Sequence, residues 1–179
     1  ATRITLGNTQ SRKIYIMFNI SNISKDYTIV NATFGLFLWS TNAPKFHEVS
    51  YVNSTFDETT LTWNNQPCGT STTTTLNRSF CAVAENRQVV DPVNLWYVWN
   101  ITNSVIRAVN ESRGNITLII VADDSDADRT WRFDAQNGTN PPFLNITFNG
   151  SLFTPIPTLT IPQQSNTTHN KTIIFNFTI

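Results

Sequence analysis

Asparagine followed two residues later by serine or threonine occurs fourteen times in this chain of 179 residues, at Asn19, Asn22, Asn31, Asn53, Asn77, Asn100, Asn110, Asn115, Asn137, Asn145, Asn149, Asn166, Asn170 and Asn176. Such a triplet offers its side-chain amide to a glycan, a modification made outside the cytoplasm and tolerated only on a surface. Random order of the 22 Asn and 40 Ser plus Thr would give roughly five triplets. The excess predicts an exported, extracellular protein carrying covalent N-linked glycans, with no other cofactor.

The remaining reactive groups are sparser. Asp124, Asp126 and Asp128 alternate between Ala122 and Arg129, an oxygen set of the kind Ca²⁺ takes. The run lacks the glycine and distal glutamate of an EF-hand, so a solvated turn is expected there and no metal. Asp57 and Glu58 adjoin in sequence, whereas a glycosidase pair must face each other across a cleft. They are expected to shape a turn. The only histidines are His47 and His169. Neither lies beside a nucleophile motif, and His47 is expected at the surface. These absences predict a non-enzyme. Cys68 and Cys81 have neither CxxC spacing nor histidine neighbours, and in an exported chain they predict one disulfide, with two free buried thiols as the alternative. Trp39, Trp63, Trp96, Trp99 and Trp131 could stack on sugars, although most are expected in the core.

Composition bounds what must hold these groups. Apolar residues make up 40% and charged residues only 13%, with zero net charge. The first supplies a core. The second leaves solubility to sugars, suggests insensitivity to acid because few carboxylates need stay ionised, and argues against nucleic acid as a partner. No apolar run reaches the length of a membrane span. The chain opens on Ala1 with Met17 as its one methionine, which suggests a mature form whose signal peptide has been removed.

Short β-rich runs punctuated by Asn, Gly, Pro and Asp predict strands at Arg3–Leu6, Lys13–Asn19, Ile29–Trp39, Glu48–Val52, Trp96–Asn100, Asn115–Ala122, Arg129–Asp134, Leu144–Asn149 and Thr172–Ile179. The fold expected is all-β, an antiparallel sandwich. One helix is predicted, capped by Thr102, with Val105, Ile106 and Val109 as its apolar stripe and Gly114 as its end. In Leu144–Phe148 the apolar residues alternate with Asn145 and Thr147, which places that sequon outward. A head over 1–149 is followed by a Pro-containing linker, 150–170, and a strand tail, 171–179. In the tail Ile173, Phe175, Phe177 and Ile179 form one apolar face. A lone strand must join a sheet. It can complete its own domain, or be donated to a neighbour and generate a head-to-tail homopolymer.

The run Phe56-Asp-Glu-Thr-Thr-Leu-Thr-Trp-Asn-Asn-Gln-Pro67 resembles the signature of the DNRLRE family of β-sandwich modules, related to disaggregatase-type carbohydrate-binding domains. Arg12–Phe18, Ile29–Leu38, Trp99–Val105 and Pro141–Phe148 resemble further segments of that family in order, across Ala1–Asn149. The resemblance implies a jelly-roll-like sandwich. Its members usually open with one more strand than this chain carries, which implies a pilin-like head lacking one strand and a groove to fill. Taken with the tail and the sequons, the chain also resembles the glycosylated thread filaments of Sulfolobus-type archaea, whose sandwich subunits are joined by donor strands. That resemblance tips the expectation toward donor-strand complementation between identical subunits, in a cell-surface filament serving adhesion or biofilm cohesion. The alternative it implies is a secreted carbohydrate-binding module with surface or carbohydrate ligands.

Overall fold

The computed structural model describes residues 3–7, 13–41, 44–62, 64–69, 80–82, 84–122, 130–149 and 170–176. They form ten strands and one helix: β1 (Arg3–Gly7), β2 (Ile14–Asn19), β3 (Thr28–Thr41), β4 (Lys45–Val52), β5 (Asn86–Val90), β6 (Leu95–Asn100), α1 (Thr102–Asn110), β7 (Asn115–Ala122), β8 (Thr130–Asp134), β9 (Phe143–Asn149) and β10 (Asn170–Asn176). All pairings are antiparallel. One sheet runs β1-β8-β3-β9-β10 with β6 also on β3, and the other runs β2-β7-β4-β5. This is the expected all-β sandwich. The predicted strands are present with ends shifted by a few residues. The polar run Asn86–Val90 is a strand that the alternation rule misses, because only Val90 in it is buried.

The core lies between the sheets. Phe34, Leu36 and Leu38 of β3, Trp99 of β6, Trp131 and Phe133 of β8, and Leu144 and Ile146 of β9 meet Phe18 of β2 and Leu118 and Ile120 of β7. The period-two pattern produces this directly. In β9 Leu144, Ile146 and Phe148 are buried while the residues between them are half-exposed. β7 departs from alternation, being buried at every position from Ile116 to Ala122. The excursion after β4 explains this. Val52, Cys68 and Cys81 form a second apolar cluster with Ile119 and Val121 on the outer side of the β2-β7-β4-β5 sheet. The expected Cys68–Cys81 disulfide pins that cover, with its Cα atoms 5.7 Å apart.

The Thr-Trp-Asn-Asn-Gln-Pro run belongs to this cover. Asn65 Oδ1 accepts from the Thr62 amide at 2.6 Å and its hydroxyl at 3.0 Å, and Asn65 Nδ2 donates to Thr60 O at 2.8 Å. Tyr15 of β2 donates to Gln66 Oε1 at 3.3 Å, tying the run to the sheet. Trp63 and the aspartates Asp124, Asp126 and Asp128 lie outside the described residues.

The helix is capped differently from expectation. Thr102 does not cap it: the Thr102 hydroxyl accepts from the Ala32 amide of β3 at 2.9 Å and donates to Asn100 Oδ1 at 2.8 Å. Glu85, just before β5, reaches across instead. Its carboxylate accepts from the amides of Asn103 and Ser104 at 2.6 and 2.8 Å and from the Ser104 hydroxyl at 2.7 Å. A carboxylate here satisfies orphan helix donors and meets the positive end of the helix dipole. Glu85→Ala is expected to lower stability by about 1–2 kcal/mol, seen as a lower urea midpoint at unchanged slope. The buried face is Ser104, Val105, Ala108 and Val109, so Ile106 stands at the edge of the expected stripe.

The helix also ends before Gly114. Ser112 takes φ 55°, its amide donates to Val109 O at 2.9 Å, and the Arg113 amide donates to Ala108 O at 3.0 Å. This is a Schellman close with serine where glycine is preferred. Ser112 is also the third residue of the Asn110 sequon, so the hydroxyl needed for modification occupies a left-handed position. In protein made without glycans, Ser112→Gly is expected to raise stability by about 0.5–1 kcal/mol, read from the thermal midpoint.

The tail does not stand apart from the chain that carries it. β10 lies antiparallel on β9, with Ile173 opposite Ile146 and Phe175 opposite Leu144. Within the one chain this is the self-completing arrangement of the two the sequence leaves open. Phe177 and Ile179, and all of the linker except Asn170, lie outside the described residues.

Candidate functional site

The two sheets treat their outer faces differently. The cover closes much of one. On the other, β3, β6 and β9 turn aromatic side chains to solvent. β3 pairs Phe37 with Trp96 and Gly35 with Val98 of β6, and pairs Gly35 with Phe143 of β9. These residues alternate with the buried Phe34, Leu36, Tyr97, Trp99 and Leu144, so period-two geometry sets them on the outer face. Phe37 and Trp96 meet edge to face with centroids 5.5 Å apart. Trp96 and Phe143 do the same at 5.0 Å. Trp96 is 40% exposed and Val98 42%. Trp39 is 37% exposed and sits where the β3–β8 register slips between Leu38 and Ser40, a bulge of the sort that re-aims a side chain.

Gly35 is the seat of this row. A β-carbon there would overlap the Phe143 ring, so the missing side chain lets that ring lie across β3 toward Trp96. Polar groups border the aromatics. Thr33 is the next residue on that face of β3, with Asn100 opposite it on one side and Asn145 on the other. Asn100 Nδ2 donates to Asn31 Oδ1 at 3.1 Å, and Gln88 Nε2 donates to Val98 O at 2.9 Å. Arg132 of β8, paired with Ser40, is exposed. Aromatic rings offer their faces to the C–H bonds of a sugar, and amides and hydroxyls at the rim suit its hydroxyls.

Of the tryptophans, Trp99 and Trp131 are core as expected, but Trp96 and Trp39 are not. Alternation within β6 already separates Trp96 from Trp99. His47 is not at the surface: it is fully buried in β4, edge-on to Trp131 at 4.8 Å and Phe133 at 6.0 Å. Its Nδ1 donates to Lys45 O at 3.1 Å, while Nε2 is buried with no partner among the described residues. Burial holds its pKa down to about 4. The sequence signal was there, since His47, Val49 and Tyr51 share one face of β4, but a polar residue at an inward position reads ambiguously. Asp57 makes a turn as expected, accepting from the Thr59 amide at 2.8 Å and the Thr59 hydroxyl at 2.7 Å, and the latter bond keeps its carboxyl below the usual range.

Glu111 bridges Arg107 at 2.7 Å and Arg113 at 2.6 Å and accepts from the Tyr51 hydroxyl at 3.1 Å, a clasp at the helix end. Among the described residues no three His, Cys, Asp or Glu side chains converge as metal ligands, and no helix is long and apolar enough to cross a membrane. Every sequon asparagine whose side chain is described is exposed or half-exposed as a residue, although the Oδ1 atoms of Asn53, Asn145 and Asn149 are themselves buried.

A sandwich that covers much of one sheet face and sets an aromatic row on the other has the build of a saccharide-binding module. The family model of carbohydrate-binding module family 96 (CBM96) matches residues 2–148, and the chain belongs to that family. No curated protein matches the chain. The match agrees with the carbohydrate-binding side of the resemblance drawn from the sequence. It stops short of β10 and does not extend to filament assembly.

Proposed function

We propose that this chain is an extracellular, N-glycosylated protein that recognises carbohydrate, without catalysis, on the open face of its β3–β6–β9 sheet. The observation that carries this is the Phe37–Trp96–Phe143 row, with the Phe143 ring seated over Gly35, Trp96 exposed and the two phenylalanines half-buried, in a member of a carbohydrate-binding family. An exposed aromatic strip with a polar rim marks an interaction surface rather than leftover core. Its shallow shape favours the side of an extended polysaccharide over the end of a short sugar. Few charges lie on the face, which favours neutral chains. The test is retention of the protein by a panel of insoluble and soluble polysaccharides. Failure to bind any of them would end this reading.

A second reading is polymerisation by strand exchange, with identical subunits as partners in a surface filament for adhesion or biofilm cohesion. One observation favours it. β9 and β10 are antiparallel neighbours, a pairing that a two-residue turn can connect, yet residues 150–169 separate them. A tether of that length permits β10 to seat on another copy's β9 with the same register. In that reading Ile173, Phe175, Phe177 and Ile179 form the donor strand. Truncation after Asn149 tests it. Loss of polymer that is restored by a peptide covering 170–179 would support exchange, and an unaltered monomer would exclude it.

A further inference from the structure

We propose that the aromatic face holds a glycan of the chain's own, the one attached to Asn145. This rests on the reading of that face as a saccharide surface and adds where the saccharide comes from.

Asn145 and Phe143 are two apart on β9, hence on the same face and about 7 Å apart along the strand. The register makes the neighbourhood explicit. Phe143 lies opposite Gly35, and Asn145 lies opposite Thr33 in the adjacent row. From Phe143 the rings continue to Trp96 at 5.0 Å and on to Phe37 at 5.5 Å. A glycan rooted at Asn145 therefore starts at one end of a line of rings. Because Gly35 offers no side chain, the Phe143 ring leans away from β9 across β3. The row thus leads inward over the sheet.

Thr147 completes the triplet on the same face, as the alternation of buried and half-exposed residues in β9 requires. Asn145 Oδ1 is buried with no hydrogen-bond partner among the described residues. A hydroxyl or acetamide N–H of the first sugar would supply the missing donor. Asn100, the other sequon asparagine in that row, is already engaged: its Oδ1 accepts from the Thr102 amide at 3.1 Å and its Nδ2 donates to Asn31. Of these two, Asn145 is thus the one whose side-chain oxygen still wants a donor.

In the attachment itself, the Asn145 amide nitrogen bonds to C1 of a prenyl-phosphate-linked oligosaccharide. The C1–O bond to phosphate breaks, the prenyl phosphate leaves with the bonding pair, and the amide loses one proton. Once attached, the sugar is tethered beside the rings, so it competes with any free saccharide at high local concentration. The glycan is then both a cover for exposed apolar surface and a regulator of external binding.

The test compares the full wild-type chain with Thr147→Val, both secreted from one glycosylating host. Thr147→Val removes attachment at Asn145 and keeps a β-branched residue in the strand. Peptide mass spectrometry reads occupancy of Asn145 and, after timed exposure to N-bromosuccinimide, oxidation of Trp96. Buried Trp99 and Trp131 report any unfolding. Should they show that Thr147→Val unfolds, Asn145→Gln provides the same comparison. The expected result is an occupied Asn145 and Trp96 oxidation about fivefold slower in wild type, the protection given by a ligand covering most of its surface. An unmodified Asn145, or equal rates with Asn145 occupied, overturns the proposal. Binding of the same polysaccharide panel to Thr147→Val, with Trp96→Ala as control, judges the recognition reading separately. Protection in wild type without external binding by Thr147→Val would support the tethered ligand and remove the external one.

Discussion

Trp96→Ala is expected to weaken polysaccharide binding about thirtyfold or more, measured by affinity electrophoresis or calorimetry on glycan-free protein, since truncating a central aromatic anchor costs about 2 kcal/mol and 1.4 kcal/mol is tenfold. Trp96 is the middle ring of three, so its loss removes both edge-to-face contacts as well as the largest exposed surface. Its side chain points away from the core, so folding should survive. Gly35→Ala is the sharper companion. It leaves every aromatic residue in place but puts a β-carbon where the Phe143 ring lies, and the ring must tip. Affinity should fall about tenfold, as expected when an anchor's packing is disturbed rather than deleted. Wild-type binding by both variants would mean that saccharide contacts the protein elsewhere.

Between pH 6.5 and 4 the protein is expected to lose about 3 kcal/mol of stability through His47 alone, since each unit of pKa shift is 1.36 kcal/mol. In the fold the imidazole is kept neutral by burial, with its pKa lowered from 6.5 to about 4. The unfolded chain takes up a proton below 6.5 that the folded chain refuses until about 4. Stability from this group is therefore complete above 6.5, declines as pH falls through that window, and changes little below it. Denaturant midpoints at pH 7 and pH 4 check this, with His47→Met as the comparison. The variant should show a much smaller drop, because methionine fills the space between Trp131 and Phe133 without titrating. Parallel pH profiles for the two proteins would show that His47 is not the sensitive group. The expectation of acid insensitivity from a low carboxylate count overlooked a base placed where it cannot charge.

Much of the architecture was legible because period-two alternation is written plainly in β3, β6 and β9. Leu144, Ile146 and Phe148 could face only inward once Asn145 and Thr147 faced outward. The disulfide was legible from two cysteines without other business. What escaped depended on partners distant in sequence. Glu85 as a helix cap requires knowing that residues 85 and 104 meet. Ser112 as the helix stop looks unfavourable beside a nearby Gly114. The aromatic site needed the register: Phe37, Trp96 and Phe143 come from three strands, and only pairing through Gly35 puts them in one row. Tryptophan in a small sandwich is read as core by composition, and nothing local marks Trp96 as the exception beyond its spacing from Trp99.

The cover over Ile119 and Val121 has a consequence for motion. β7 is buried on both faces and bonded along both edges, to β2 and β4. Its amides cannot reach solvent through fraying or a local opening, so hydrogen–deuterium exchange at Ile116–Ala122 should proceed only through complete unfolding. Edge strands such as β5 should exchange sooner. The protein thus contains its own gauge: exchange rates along that one segment report the free energy of the whole sandwich, in native buffer and without denaturant.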